Sequence, residues 1–277
     1  MKYSDIVSKL KNMGVVEYEN EAFLILNHLF SVSYSSLLLE KDREYEDKMI
    51  LELLKKRQRK IPLQYILGKW DFMGLTFFVS PDCLIPRPDT EVLVERALKE
   101  VKTGDRVADF CTGSGCIGLS LLKHSQKIDN ITLVDISPSA LKMAEKNAKE
   151  LGVYEKCTFL LSDVRNVKEK FDLIVSNPPY IPTGDIEGLS KEVKNEPRIA
   201  LDGGIEGFDL IDFLIGDGLD LLNENGTMII EFGYDQGEKM DTRLAKIKNE
   251  GKISSYELIS DYGGNVRHAL IKKEQTK

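Results

Sequence analysis

Hydrophobic positions along the chain change their spacing twice. Over the first sixty residues they recur at helical intervals: Ile6, Val7 and Leu10 within 4–13, where Ser4 is a candidate N-cap; a strongly apolar 20–30; and Met49, Ile50, Leu53 and Leu54 on one face of 46–58. Pro62 closes this helical stretch, and His28 inside it reads as a partly buried core histidine. From 64 to 85, aromatics, glycines and alternating apolar residues predict a β-hairpin connector. The segment Pro86-Arg87-Pro88-Asp89-Thr90-Glu91 follows and runs into a periodic helix, EVLVERALKEV.

Beyond residue 105, strand, turn and helix repeat. Strands are expected at 106–111, 130–136, 157–163, 171–177 and 226–233, with helices at 116–124, 138–151, 208–223 and 235–249. Gly263-Gly264 joins a last pair, 254–262 and 266–273, as an antiparallel hairpin. Strands alternating with helices call for a doubly wound, mostly parallel α/β sheet. The expected organisation is a helical domain at 1–63, a connector at 64–87 and an α/β domain at 88–277.

Charge narrows the function further. With 38 Lys+Arg against 45 Asp+Glu the chain carries −7 at neutral pH, which weighs against wrapping nucleic acid. No apolar run approaches the ~20 residues of a membrane helix. Charges interrupt every apolar stretch of MKYSDIVSKLKNMG, which is therefore not read as a secretory signal. Cys83, Cys111, Cys116 and Cys157 form no Cys-x-x-Cys, and no two histidines share a helical face. Reduced thiols in a cytoplasmic, metal-free protein are expected.

Three motifs carry candidate chemistry. Asp109-Phe110-Cys111-Thr112-Gly113-Ser114-Gly115 ends the first strand of the repeat and opens a helix, so glycine backbone can approach a ligand at a helix N-terminus. Asp135 ends the next strand about twenty residues on, where a carboxylate can accept both ribose hydroxyls of a nucleoside. Asp163, ending the third, is placed to reach an adenine amino group. Asn177-Pro178-Pro179-Tyr180 ends the fourth strand, at the carboxyl edge where an open α/β sheet binds its ligands. The prolines stiffen this loop and hold Asn177 extended. That leaves two acceptors, the Asn177 side chain and the Pro178 carbonyl, to grip a planar NH2 group beside the Tyr180 ring.

Together, D-x-x-T-G-S-G, the acidic strand end and N-P-P-Y resemble S-adenosylmethionine-dependent methyltransferases acting on planar amino groups: adenine N6, the exocyclic amine of guanine, or a glutamine amide. Three further segments are similar to the release factor glutamine methyltransferase (HemK/PrmC) family in particular. They are Leu84-Ile85-Pro86-Arg87-Pro88-Asp89-Thr90-Glu91 with the following VLVE, Pro62-Leu63-Gln64-Tyr65-Ile66-Leu67-Gly68, and Glu196-Pro197 through Gly203-Gly204 and Gly207-Phe208. The resemblance implies a class I methyltransferase fold: a Rossmann-like, mostly parallel seven-stranded sheet with a C-terminal antiparallel hairpin, carrying a small N-terminal helical domain that docks the substrate. It also implies methyl transfer from S-adenosylmethionine to the glutamine amide of the Gly-Gly-Gln motif in class-1 release factors. By position, Thr112, Gly113, Ser114, Gly115, Asp135, Asp163 and Asn177 would line the cofactor site. Asn177, Pro178, Pro179 and Tyr180 would hold the glutamine, with Arg87 and Glu91 shaping the pocket. Cys111 stands where the family commonly has glycine. No residue is identified as a general base.

Two other readings remain open at the level of sequence. One is a methyltransferase acting on a nucleic-acid base, disfavoured by the acidic charge and the lack of a target-recognition domain. The other is a non-catalytic S-adenosylmethionine-binding scaffold, which would not require paired acceptors at N-P-P-Y.

Overall fold

The computed structural model describes residues 1–40 and 42–274, and the chain divides into two compact units. One combines Met1–Lys69 with Ser190–Asn195; the other takes Trp70–Leu189 and the chain from Glu196 onward.

The first unit is built on helices α1 (Tyr3–Asn12), α2 (Tyr18–Phe30), α3 (Tyr34–Leu39), α4 (Asp47–Gln58) and α5 (Leu63–Leu67). Their apolar stripes meet in a core that includes Ile6, Leu10, Ile25, Leu26, Ile50, Leu54 and Leu63. Ser4 lies inside α1 and does not cap it, because the Lys2 amide donates to the Asp5 carboxylate at 2.9 Å and starts the helix earlier. The short α3 has no apolar period long enough to announce it; Ser33 caps it by accepting from the Ser36 amide at 3.1 Å. His28 corrects the expectation of a core histidine, since it lies exposed on α2. Arg57 is a buried charged group of this unit. Its guanidinium takes Glu21 at 2.7 and 2.9 Å and Glu192 at 2.9 Å, so α4 grips α2 and the 190–195 segment together.

The expected hairpin over 64–85 is much shorter. Pro62 leads into α5 and Gly68, at φ +71°, stops it, an arrangement that favours one helical turn over an extended strand. Only β1 (Lys69–Phe72) and β2 (Leu75–Phe78) pair, across Met73-Gly74 with both φ values positive.

The second unit is a seven-stranded sheet of β3 (Val107–Phe110), β4 (Ile131–Asp135), β5 (Cys157–Leu161), β6 (Phe171–Ser176), β7 (Leu222–Glu231), β8 (Ile253–Ser260) and β9 (Val266–Lys273), ordered β5-β4-β3-β6-β7-β9-β8. Neighbours from β5 to β7 are parallel, and β9 runs antiparallel to both β7 and β8. Strand residues alternate between two cores. Leu133, Leu173, Val175 and Ile229 pack under α6 (Pro88–Glu100), α7 (Cys116–His124) and α8 (Pro138–Glu150). Val134, Ile174, Met228 and Ile230 pack under α9 (Asp209–Ile215) and α10 (Gly237–Asn249). The helix expected over 208–223 ends at Ile215; Gly216 and Gly218 interrupt it, and a 3-10 turn over Asp217–Leu221 leads into β7, which starts at Leu222 rather than 226. Strand order reverses between β3 and β6, so a crevice opens at their carboxyl ends.

Candidate active site

At the end of β3 the chain turns through Cys111 (φ +58°) and Gly113 (φ +55°) into α7. The fully buried Asp109 fastens this turn: one carboxylate oxygen accepts from the Thr112 hydroxyl at 2.6 Å and the Gly118 amide at 2.9 Å. Burial pushes the Asp109 carboxyl up to about 7. Asn147 ties the same loop to β2, donating to the Ser114 carbonyl at 2.8 Å and accepting from the Phe78 amide at 2.7 Å.

The next two strand ends add acceptors. The two oxygens of Asp135 accept from the Gly113 amide at 2.8 Å and the Ser137 amide at 2.9 Å, and burial raises its pKa. Each oxygen keeps a lone pair for a ligand donor. Asp163 caps a short 3-10 turn by accepting from the Arg165 amide at 2.9 Å, with the Arg165 guanidinium 3.2 Å away. The Asn177 amide donates to the buried Thr90 hydroxyl in the first turn of α6, at 3.3 Å. That bond fixes the side chain so that its carbonyl oxygen, which takes no hydrogen bond among the described residues, is left to accept.

These groups enclose one cavity of about 280 Å³, just under the roughly 300–1,000 Å³ usual for small-molecule sites. Thr112, Gly113, Ser114, Asp135, Asp163, Asn177, Pro179 and Arg87 all line it. Arg87 pairs there with Glu196, whose side chain is 1% exposed and also accepts from the Ile85 amide at 3.1 Å.

Four expected residues stand elsewhere. Gly115 does not line the cavity: it is the N-cap of α7 at φ +81°, where a Cβ would press within 2.9 Å of Leu119. Glu91 lies about 100° round α6 from Thr90, and it accepts from the Met73 amide at 2.6 Å in the β1–β2 turn. Pro178 is buried and contributes no side chain to the wall. Tyr180 turns its ring into the sheet core, and its hydroxyl donates to Glu231 at 3.3 Å; burial, with Glu231 beside it, holds the phenol above its usual range. Thr90, Glu196, Asn147 and Glu231 went unassigned from sequence because their partners are between 33 and 111 residues away.

The cavity suits a nucleoside-bearing sulfonium. The Ser114 hydroxyl is buried in its wall without a partner among the described residues, a Cβ at Gly113 would meet open space, and Asp135 and Asp163 present carboxylates. Burial raises the Cys111 and Cys116 thiols, and Cys83 to about 11, so none offers an appreciable thiolate near neutrality. Among the described residues no group of three or more His, Cys, Asp or Glu could hold a metal, and no helix is long and apolar enough to cross a membrane.

The methyltransferase small domain family matches residues 88–192, and the PrmC N-terminal domain family matches residues 3–68. The release factor glutamine methyltransferase of Moorella thermoacetica is 36% identical, over 98% of this chain and 97% of its own. That of Aquifex aeolicus is 34% identical, over 99% and 96%. Among solved structures, a methyltransferase from Pyrococcus furiosus superposes with a TM-score of 0.54 at 18% identity, covering 80% of this chain and 100% of that one; at that identity the likeness speaks for the fold.

Proposed function

Since the chain belongs to the release factor glutamine methyltransferase family, we infer that it methylates the side-chain amide nitrogen of the Gly-Gly-Gln glutamine in class-1 peptide chain release factors. The methyl donor is S-adenosylmethionine, which when bound supplies an electrophilic methyl on a cationic sulfur. Asp135 accepts the ribose hydroxyls, Asp163 accepts from the adenine amino group, and the Thr112–Ser114 backbone lies along the ligand. The helical unit docks the release factor.

Asn177 does the work on the acceptor side. An amide nitrogen is a weak nucleophile because its lone pair is delocalised into the carbonyl. The Asn177 side-chain oxygen and the Pro178 carbonyl each accept one of its N–H bonds, which aims the nitrogen and stabilises the positive charge that grows on it. The observation that carries this reading is the Thr90–Asn177 hydrogen bond at 3.3 Å, which commits the Asn177 NH2 and leaves its oxygen as the acceptor.

The test is incubation of the protein with labelled S-adenosylmethionine and purified release factor, beside transfer RNA and duplex DNA, followed by peptide mass analysis. Label on the Gly-Gly-Gln peptide alone is expected. Label on nucleic acid with none on release factor would overturn the assignment in favour of a base methyltransferase.

A further inference from the structure

We propose that Glu231 and Gln236, at and just beyond the end of β7, are positioning residues that clamp Tyr180 from two sides and thereby set the Asn177–Tyr180 loop. This rests on reading that loop as the acceptor site. Glu231 holds the phenol through its 3.3 Å hydrogen bond. Gln236 holds the backbone: its amide donates to the Tyr180 carbonyl at 2.8 Å, and its own oxygen accepts from the Gly233 amide at 2.8 Å, so the side chain cannot turn away. Gly207 closes over the same peptide, where a Cβ would overlap the Tyr180 carbonyl oxygen.

The clamp matters because of where its other end lies. Thr90 fixes Asn177 and Glu231 with Gln236 fix Tyr180, while two prolines of locked φ span the gap. The Pro178 carbonyl is thus held between two tethers, and slack at either end moves an acceptor.

Sheet stability alone does not account for Glu231. A carboxylate 1% exposed inside a sheet is costly unless it is partnered, and apolar residues usually replace such groups without loss. Its neighbour across the ladder is His268 on β9, also fully buried, with Nε2 3.5 Å from the second Glu231 oxygen. That oxygen and both ring nitrogens of His268 lack hydrogen-bond partners among the described residues. Glu231 is therefore a carboxyl group held in the core between the His268 ring and the Tyr180 hydroxyl, its hydrogen-bonded contact.

The experiment uses the full chain carrying 3-fluorotyrosine, with release factor as acceptor. Glu231→Gln keeps the size and an acceptor oxygen, and Tyr180→Phe removes only the hydroxyl. Each should slow single-turnover methylation by up to about tenfold, the order of loss for one hydrogen bond, with cofactor affinity unchanged. The double variant should be no slower than the slower single one. The Tyr180 fluorine resonance, identified by its absence in Tyr180→Phe, should move in Glu231→Gln. Rates that multiply in the double variant, or a resonance that stays in place, would overturn the clamp. Should Glu231→Gln fail to fold, Gln236→Leu strips the backbone contact and is read through the same resonance and rate. A wild-type protein that leaves release factor unmethylated refutes the functional reading, yet the fluorine shift needs no acceptor and still decides the clamp.

Discussion

On the side of the cavity proposed for the cofactor, most groups that touch are near one another in the chain: Asp109 meets Thr112 and Gly118, Asp135 meets Ser137, and Asp163 meets Arg165, while Asp135 to Gly113 and Asn147 to Ser114 and Phe78 are the longer ties. On the side proposed for the acceptor they are remote: Asn177 meets Thr90, Tyr180 meets Glu231 and Gln236, and Glu196 meets Ile85 and Arg87. One half is mostly turns that fold around their own backbone, braced by Asp135 and Asn147. The other exists only once α6, the end of β7 and the loop before α9 have packed. The acceptor side should therefore lose rate through distant substitutions, while the cofactor side loses affinity through local ones.

The largest effect expected from this contrast is at Asn177. Asn177→Ala should slow single-turnover methylation of release factor by about 10²–10³, as for loss of one fixed partner at a developing charge, with cofactor binding largely kept. Asn177→Asp retains an acceptor oxygen and should fall between Ala and wild type; near-normal chemistry in the Ala variant would remove the acceptor mechanism. Next comes Asp135→Ala, which should weaken cofactor binding by about 1–3 kcal/mol and leave the rate at saturating cofactor nearly intact. Calorimetric titration reads it directly, and unchanged affinity in a folded variant refutes the ribose assignment.

Thr90→Val sharpens the comparison, because Thr90 reaches the cavity from α6 and makes its hydrogen bond to Asn177. Loss of one neutral hydrogen bond of about 1 kcal/mol should cost roughly fivefold in kcat/KM, and an equal loss of cofactor affinity would contradict the division into halves. Asp109 tests the local side through pH. Its carboxyl is raised in the fold from 3.8 to about 7, so its contribution to stability is present below the lower value and is lost as pH rises through the upper one. Asp109→Asn should flatten the wild-type fall in urea midpoint across that interval; an unchanged slope would mean that another group causes it. The smallest effect belongs to Cys111, a non-glycine at φ +58°. Cys111→Gly should raise stability by about 0.5 kcal/mol, the relief of a left-handed conformer less the added freedom of the unfolded chain, read as a small rise in Tm.

What could be seen in the sequence follows the same division. Strand ends, the glycine turn and Asp135 are legible because apolar period and motif spacing are local properties, and the parallel sheet follows from strands alternating with helices. Gly115 shows the other side of this. Spacing marks where backbone must bend, and only packing against Leu119 shows that this bend caps a helix behind the cavity wall. Glu91 reaches Met73 and not the cavity because one step along α6 changes the face presented. Thr90, Glu231 and Gln236 carry no local mark; their role appears only when strands far apart in the chain lie side by side. The two histidines make the point from opposite ends: His28, set in an apolar run, is exposed, whereas His268, beside Arg267 near the end of the chain, is fully buried.

Ser190–Asn195 belongs to the helical unit although it lies between the Asn177–Tyr180 loop and the cavity-lining Pro197, Ile199 and Gly203. The backbone therefore passes between the units at Lys69, again at Leu189 and again at Asn195. A module strung on one thread can be snipped off, swapped or fused elsewhere; this one is sewn in with three stitches. Deleting residues 1–69 would strand Glu192 without Arg57, and a helical unit supplied as a separate chain would have to recapture that strip to be whole.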